Sequence, residues 1–398
     1  MLKKAASKIS NLILPVGVFV FLGIYAFLFI LRIPNDTKLT GVTLTEYPEE
    51  TEPSAIMNGS FQNALGNYIT EHFYGYQASV INHNQIQYSV FRDGAGVYSQ
   101  GREGYVFDTE QSLDYLRGER NQIDYAAYDD YALKVSIMQM QLEGLGKEFI
   151  YILDPIKAEV FSDKLPWRLR ILEEHYAGEG NLKMRAMVDA FEKYGVNYYV
   201  TTDDLKEMRK QDEYPVFCKT GHHWTLTAAA NELSTMFEKL NVDGTYQTLP
   251  DICVTGIKEE EYEWDQDIIQ ILNVKKYRAS KSTCPVIQYE APEHNAFMFG
   301  TSFGCEIADT LYRSPDNRAF DQFTFMHYFT SRMTYNENGA DVIKYTQDTD
   351  INEMDILDRV SESRLVIMEQ QAGILETHQK FVDYLNENMI NGNVGGIK

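Results

Sequence analysis

Basic residues are scarce in this sequence, which has 36 Lys and Arg against 58 Asp and Glu and a formal net charge of −22. A surface this acidic repels polyanions, so the composition argues against nucleic-acid binding through a broad basic face. The four cysteines include no CxxC pair and no Cys/His cluster with zinc-ligand spacing, so no metal is expected. No phosphate-binding glycine loop and no GxGxxG follows a predicted strand, so no nucleotide cofactor is expected either.

Long apolar runs are also rare, and only Leu12 to Leu31 is long enough to cross a membrane. A helix of that length, rising 1.5 Å per residue, spans a hydrocarbon core of about 30 Å. Because Lys3, Lys4 and Lys8 precede it, we expect a single-pass anchor in the cell membrane with a cytoplasmic N-terminus and an extracytoplasmic C-terminal domain. A cleaved signal peptide is the alternative, but the run is longer than a usual signal core and no small-x-small cleavage site follows it.

The pattern predicts three segments: residues 1–34 as cytoplasmic tip and anchor, 35–60 as an acidic linker, and 61–398 as one large domain. The glycine-flanked residues 94–107 indicate a short hairpin. Amphipathic helical stripes then alternate with continuous apolar runs typical of buried parallel strands. Such alternation predicts an α/β domain with a mostly parallel sheet and helices on both faces. The predicted strands are Phe149–Leu153, Val196–Val200, Ala296–Phe299 and Leu365–Met368.

Ser302 is the candidate nucleophile because it lies just beyond the predicted strand Ala296–Phe299, between Gly300 and Gly304. Ligand sites in parallel sheets lie at the carboxyl ends of the strands. Flanking glycines permit a tight turn that exposes the hydroxyl and directs backbone N–H groups at one point, as a serine nucleophile needs. A plain turn serine is the alternative interpretation.

His222 and His223 stand just before a predicted helix whose N-cap is Thr225 or Thr227. A histidine in that position can be both exposed and well oriented, so it is suited to act as a general base toward Ser302. Trp224 would pack beside it and fix its position. A pair of ordinary loop histidines is the alternative, and two adjacent histidines without a third ligand make a poor metal site.

Five segments, taken together and in order, resemble the alginate O-acetyltransferase-like (AlgX/AlgJ-like) proteins, including the DHHW proteins, which have an SGNH-hydrolase-like three-layer domain. Residues 100–107 resemble "GKDGWLF", and residues 154–166, with Lys157, resemble "PxK…LP". Residues 217–225 resemble "YYKTDxHWT", and residues 300–303 resemble "GDSF". Residues 364–375, with Glu369, resemble a C-terminal "vvEqnE" strand and helix.

The resemblance implies an O-acyltransferase, expected to be an O-acetyltransferase, that modifies a cell-surface or exopolysaccharide. Ser302 would carry the acyl group as an ester and His223 would be the base and then the acid. The expected partners are the polysaccharide acceptor and a polytopic membrane-bound O-acyltransferase that supplies the acyl group. Lys157 would be an anchoring charge near the site, with a structural ion pair as the alternative. An acetyl esterase would use the same site with water as the acceptor.

The sequence departs from the family pattern at two positions. Gly221 replaces the acid that lies two residues before the catalytic histidine, and Thr301 replaces the acid before the serine. Three interpretations stay open: a backbone carbonyl orients His223, a distant acid does so, or the domain is a catalytically degraded glycan-binding or scaffold module. The candidate distant acids are Glu369, Glu306 and Asp309.

Overall fold

The computed structural model describes residues 15–20, 22–24, 27, 31, 38–49, 52–94, 96–117, 123–175, 181–242, 244, 246–289, 294–314, 316–328, 331–337, 340–345, 355–371 and 376–395. Within this part of the chain, no helix combines the length and apolar character needed to cross a bilayer. Part of the predicted anchor, Leu12 to Leu31, lies outside the described residues. The chain divides into two compact units, one formed by Met1–Ala95 with Ile269–Tyr277 and the other by Gly96–Ile268 with Arg278–Lys398.

The regular elements are short to medium in length. The helices are α1 (Pro53–Met57), α2 (Ser60–Glu71), α3 (Tyr76–Ile86), α4 (Thr109–Arg117), α5 (Tyr125–Gly144), α6 (Lys157–Val160), α7 (Trp167–His175), α8 (Leu182–Tyr194), α9 (Thr202–Gln211), α10 (Leu226–Asn241), α11 (Asp267–Ile271), α12 (Gly304–Leu311), α13 (Ile356–Glu362) and α14 (Glu376–Ile390). The strands are β1 (Asp93–Gly94), β2 (Tyr98–Gln100), β3 (Val106–Asp108), β4 (Glu148–Asp154), β5 (Tyr198–Val200), β6 (Ile252–Glu259), β7 (Thr283–Tyr289), β8 (Ala296–Gly300), β9 (Tyr312–Ser314), β10 (Asn317–Arg318), β11 (Phe323–His327), β12 (Ser331–Glu337), β13 (Ala340–Tyr345) and β14 (Leu365–Gln371).

A seven-stranded sheet in the order β13-β12-β11-β8-β14-β4-β5 organises the larger unit. Strands β11, β8, β14, β4 and β5 pair in parallel, and β12 and β13 extend the sheet as antiparallel strands. Three of the four predicted strands are therefore confirmed, and the fourth, Val196–Val200, begins only at Tyr198. The predicted hairpin is confirmed as the antiparallel pair of β2 and β3. The mixed α/β class with a mostly parallel sheet is confirmed, whereas the antiparallel edge was not predicted.

Helices cover both faces of this sheet, and successive residues of each strand point to opposite faces. On one face, Ile150 and Ile367 pack with α10 and α12. On the other face, the adjacent residues Tyr151 and Val366 pack with α5, α8 and α14. Burial on both faces explains why the central strands are continuous apolar runs.

The topology brings several polar groups to one edge of the sheet. The parallel strands β4, β8 and β14 end at Asp154, Gly300 and Gln371, and their carboxyl ends lie side by side. Strands β6 and β7 form a separate antiparallel hairpin that packs on α10. The connection between them contains the 3-10 turn Glu263–Gln266 and the start of α11. The smaller unit contains α1 to α3, and its Asn84 amide donates to the Leu272 carbonyl over 2.8 Å.

Candidate active site

Ser302 lies in the turn between the buried strand β8 and helix α12, as the sequence predicted. Both flanking glycines are there because no side chain fits. A Cβ on Gly300 would stand 2.6 Å from Glu369 Oε2, and one on Gly304 would stand 3.0 Å from the same atom and from the Phe325 ring. The tight packing of the turn against β14 and β11 therefore fixes where the Ser302 hydroxyl points.

His223 ends the loop that leads into α10, and Thr225 is the N-cap of that helix. The Thr225 hydroxyl accepts from the Ala228 amide over 3.1 Å. Trp224 is buried, and its indole Nε1 donates to the Phe303 carbonyl over 3.1 Å. This hydrogen bond joins Trp224, the residue after His223, to Phe303, the residue after Ser302, and so holds the two loops together.

The structure brings the two candidate catalytic side chains together across 79 positions of sequence. His223 Nε2 and Ser302 Oγ are 2.9 Å apart, which is hydrogen-bonding distance. The His223 ring is buried and packs edge-on against Phe303 and Trp264, at centroid distances of 5.1 and 5.7 Å. A nucleophile within reach of a base that is itself held in place is the arrangement expected for covalent acyl transfer.

Asp267 supplies an acid on the other side of the imidazole, and the sequence reasoning did not identify it. Its Oδ2 lies 3.3 Å from His223 Nδ1. Its Oδ1 accepts from the amides of His222, over 2.8 Å, and Ile268, over 2.6 Å. Burial acts to raise the pKa of Asp267, but the nearby His223 ring and the hydrogen bond from the His222 amide outweigh it and lower that pKa, so the carboxyl is ionised.

Gly221 has a steric explanation. A Cβ at this position would stand 2.9 Å from each of the Trp264 and Asp265 carbonyl oxygens. The turn that delivers Asp267 to the imidazole therefore occupies the space that a side chain at position 221 would need. The carboxylate that lies beside the imidazole follows His223 by 44 residues. No local pattern in the sequence links the two positions.

The three distant acids suggested by the sequence have different surroundings. Glu306 Oε1 lies 4.0 Å from His223 Nδ1, so it is close to the imidazole. Asp309 accepts a hydrogen bond from the Tyr262 hydroxyl over 2.6 Å. Glu369 contacts the nucleophile turn: its Oε2 accepts from the Thr301 amide over 2.7 Å and its Oε1 from the Thr301 hydroxyl over 2.8 Å. Glu369 thus binds Thr301, the residue before Ser302, and not His223.

Asp154 lies beside Glu369 beneath the nucleophile turn, and both side chains are fully buried. Burial raises the pKa of Asp154 to about 7. Burial and the nearby Asp154 carboxyl raise the pKa of Glu369 well above its ordinary value. Two carboxyl groups so close in a low-dielectric site cannot both ionise, so the pair holds at least one proton at neutral pH. Thr201 fixes Asp154 from the other side, its hydroxyl donating over 2.8 Å.

Lys157 fastens the loop that leads to the active-site histidine. Its buried ammonium donates to the carbonyl oxygens of Val106, Cys218, Lys219 and Gly221 over 2.5–3.1 Å. Burial lowers the pKa of Lys157 to about 7, against the opposing charges of Cys218 and Asp267. The hydrogen bonds of Lys157 are thus with backbone carbonyls, whereas the sequence reasoning had considered an anchoring charge or an ion pair.

His222 contributes its backbone rather than its ring. Its amide binds Asp267, and its ring packs edge-on against those of His223 and Phe303 at centroid distances of 5.3 and 5.8 Å. Burial and the charge of His223 lower the pKa of His222 to about 3, so this ring is neutral. His222 thus supports the site without being placed as its base.

Tyr328 lies beside the turn that contains Ser302, and its amide donates to the Gly300 carbonyl over 3.0 Å. Tyr328 has a φ of 48°, in the left-handed region that non-glycine residues rarely adopt. Burial raises the pKa of Tyr328 to about 12, against the lowering effect of the Ser302 amide and the Thr301 side chain, so its hydroxyl keeps its proton.

The described residues contain no group of three His, Cys, Asp or Glu side chains that could hold a metal ion. All four cysteines, Cys218, Cys253, Cys284 and Cys305, are free. The groups that meet at Ser302 are a hydroxyl, an imidazole and a carboxylate, which together can support proton removal from Ser302, attack on an acyl carbon and stabilisation of the resulting imidazolium.

Solved structures similar to this chain are known. The O-acetyltransferase domain of Pseudomonas putida AlgJ has 11% identity, a TM-score of 0.42, and a match covering 73% of this chain and 99% of the other. Pseudomonas aeruginosa AlgX has 12% identity, a TM-score of 0.47 and coverage of 74% and 67%. A DHHW family protein from Eubacterium siraeum has 11% identity, a TM-score of 0.35 and coverage of 68% and 90%. These are the proteins that the sequence motifs resemble. No protein-family model and no curated protein matches the chain.

Proposed function

We propose that this protein is an O-acyltransferase, specifically an O-acetyltransferase, that acylates a cell-surface or exopolysaccharide through a covalent Ser302 ester. The observation that carries the proposal is the row of three side chains in which His223 lies 2.9 Å from Ser302 and 3.3 Å from Asp267. Gly221 had favoured a degraded binding module because it removes the acid of the motif, and the carboxylate of Asp267 beside His223 supports an active site instead. The glycan acceptor is supported by the five segments that resemble the acetyltransferase family.

In the first step, Ser302 Oγ attacks the acyl carbon of the donor while His223 Nε2 takes its proton. Asp267 stabilises the imidazolium. The leaving group takes the proton from His223 and departs, which leaves the acyl ester on Ser302. In the second step, His223 removes a proton from a sugar hydroxyl, whose oxygen attacks the ester carbon. The bond from that carbon to Ser302 Oγ then breaks, and His223 returns the proton to Ser302.

The same proposal places the protein in a membrane through residues 12–31, with its N-terminus in the cytoplasm and its catalytic domain outside. The lysines before this apolar run support that orientation. The acyl donor would then come from a polytopic membrane-bound O-acyltransferase in the same membrane. Fusing reporter enzymes to the two ends of the full-length chain tests the orientation directly.

The catalytic proposal is tested by incubating the full-length protein with 4-nitrophenyl acetate and locating any acetyl adduct by peptide mass spectrometry. We expect an adduct at Ser302 that is absent from the Ser302→Ala and His223→Ala variants. Ser79→Ala and His83→Ala are matched controls because both positions are exposed on α3, and neither should change the adduct. An unlabelled Ser302 in wild type under conditions that label a known serine esterase would contradict the proposal.

An acetyl esterase is the alternative that uses the same residues with water as the acceptor. The two activities are separated by adding short oligosaccharides to the acetylated enzyme and measuring both free acetate and acetylated sugar. A transferase forms acetylated sugar in proportion to acceptor concentration. Free acetate alone, at every acceptor concentration and with every oligosaccharide, would favour the esterase.

A further inference from the structure

Glu306 is a buried acid that the proposed mechanism does not use. It lies one helical turn after Ser302, on α12, and is 0% exposed. Neither of its carboxyl oxygens accepts a hydrogen bond from another residue in the part of the chain that the structure describes. Burying a carboxyl group without partners is unfavourable, and an apolar side chain would fill the same space at lower free energy. A role at the neighbouring site would explain why an acid stands here.

The neighbour is the catalytic imidazole. Glu306 Oε1 lies 4.0 Å from His223 Nδ1, the atom that also faces Asp267 at 3.3 Å. His223 Nδ1 itself has no well-aligned hydrogen-bond partner among the described residues. Two carboxyl groups thus approach one ring nitrogen from different elements, Asp267 from the start of α11 and Glu306 from α12. A shift of less than 1 Å would bring Glu306 within the 3.3 Å at which Asp267 now stands.

The electrostatic surroundings keep the two acids in different states. Glu306 is faced by Asp309 on its own helix and by Asp267 and Asp265 across from it. Tyr262 and Cys305 also interact with it electrostatically, and His223 is its nearest basic group. Burial and the acidic neighbours raise the pKa of Glu306 well above its ordinary value, whereas the pKa of Asp267 is lowered. At neutral pH Asp267 is therefore the charged partner of His223 and Glu306 is a neutral one.

We propose that Glu306 is a reserve acid for His223, a positioning residue that can stabilise the imidazolium at Nδ1 where Asp267 carries no charge. The proposal rests on the function proposed above and extends it. No bond to the substrate is involved: as the pH rises, Glu306 releases its proton to solvent, and its carboxylate then faces His223 Nδ1. In wild type this reserve acid adds little because Asp267 is already ionised.

The test is the pH dependence of Ser302 acetylation in the full-length protein with Asp267→Asn as the background. At neutral pH we expect this variant to be roughly a thousandfold slower than wild type, as for loss of an orienting acid. Its rate should then rise at least about tenfold toward alkaline pH as Glu306 ionises. The double variants with Glu306→Gln and with Glu306→Met should both lack that rise. Asp309→Asn, on the same helix, is the matched control: it should keep the rise but move it to lower pH, because the Asp309 charge raises the pKa of Glu306.

Two outcomes would overturn the proposal. One is that Asp267→Asn and its double variants with Glu306 have superimposable pH profiles. The other is that Glu306→Gln and Glu306→Met alone, with Asp267 intact, abolish acetylation at every pH, because the residue would then be needed for something other than a reserve acid.

A second readout keeps this inference distinct from the proposed function. The titration of His223, followed by nitrogen-15 NMR of the imidazole in the Ser302→Ala protein, needs no turnover. In Asp267→Asn we expect a second inflection of the His223 signals when Glu306 ionises, and its loss when Glu306→Gln is added. If that inflection is seen while wild type never forms an acyl ester, the proposed function fails and the acid pair stands. If it is not seen in an enzyme that is active, the acid pair fails alone.

Discussion

Replacing Asp267 with Asn should lower kcat/KM for acetyl transfer to Ser302 by roughly three to four orders of magnitude. The reason is that the substitution removes the negative charge beside the imidazolium while leaving the fold of the turn unchanged. Two unit charges 3.3 Å apart attract by about 5 kcal/mol in an effective dielectric constant of about 20. Since about 1.4 kcal/mol corresponds to a factor of ten in rate, this attraction accounts for a loss of that size. The Asp267 side chain is only 17% exposed, so solvent screens it weakly.

The assay is the burst of 4-nitrophenol released on acetylation, measured at saturating and subsaturating donor. The loss should appear in kcat more than in KM, because the imidazolium forms only during the reaction. Asp265→Asn is the control, since that acid lies in the same turn and is buried but is not placed at His223 Nδ1. If Asp267→Asn stays within about tenfold of wild type while Ser302→Ala is inactive, Asp267 is not the orienting acid.

Three further predictions concern the supports of the site. Gly221→Asp, which restores the family pattern, should lower both the melting temperature and the activity, because its Cβ meets two backbone carbonyls at 2.9 Å; Gly221→Ala should do the same. Lys157→Met should reduce the free energy of unfolding by at least about 2 kcal/mol in chemical denaturation, since it leaves buried carbonyls unpaired. It should also lower activity more than Lys147→Met, which removes a buried lysine bound to carbonyls away from the site. The pKa of Asp154 is raised to about 7 in the folded protein, so folding favours its protonated carboxyl group. The contribution of that carboxyl group to the free energy of unfolding is full below the pKa that Asp154 has in the unfolded chain, and it is lost as the pH rises through about 7. Asp154→Asn should therefore flatten the fall in melting temperature between about pH 4 and pH 7, and an unchanged slope would contradict the buried carboxyl pair.

The part of the fold that could be predicted is the part that hydrophobic pattern controls. Strands β4, β8 and β14 are buried on both faces, so they appear in the sequence as uninterrupted apolar runs. The edge strands β12 and β13 contain few apolar residues in succession, and they pair antiparallel through a short connection that has no strong turn signal. That portion of the sheet therefore could not be recognised from periodicity.

The residues of the site also differ in how far the sequence predicts them. Ser302 could be predicted to lie at the sheet edge because it follows the buried strand β8, and His223 because it precedes helix α10. Asp267 could not, because its position depends on how the connection between β6 and β7 folds back over the loop at Gly221. The contact of Glu369 with Thr301 depends on the register of β14 against β8, which places the end of one strand beside the turn of the next. Such contacts depend on tertiary structure, so the spacing of residues along the sequence does not predict them.

The crowding at Gly221 also bears on how chains like this one are sorted by sequence motif. In this fold the carbonyls of Trp264 and Asp265 occupy the space that a side chain at position 221 would need, and the same turn places Asp267 beside His223. A search that scores only the acid at position 221 would therefore overlook a carboxylate that already lies beside the imidazole. The useful criterion is spatial: whether any carboxylate reaches the second nitrogen of the histidine, whatever its distance along the chain.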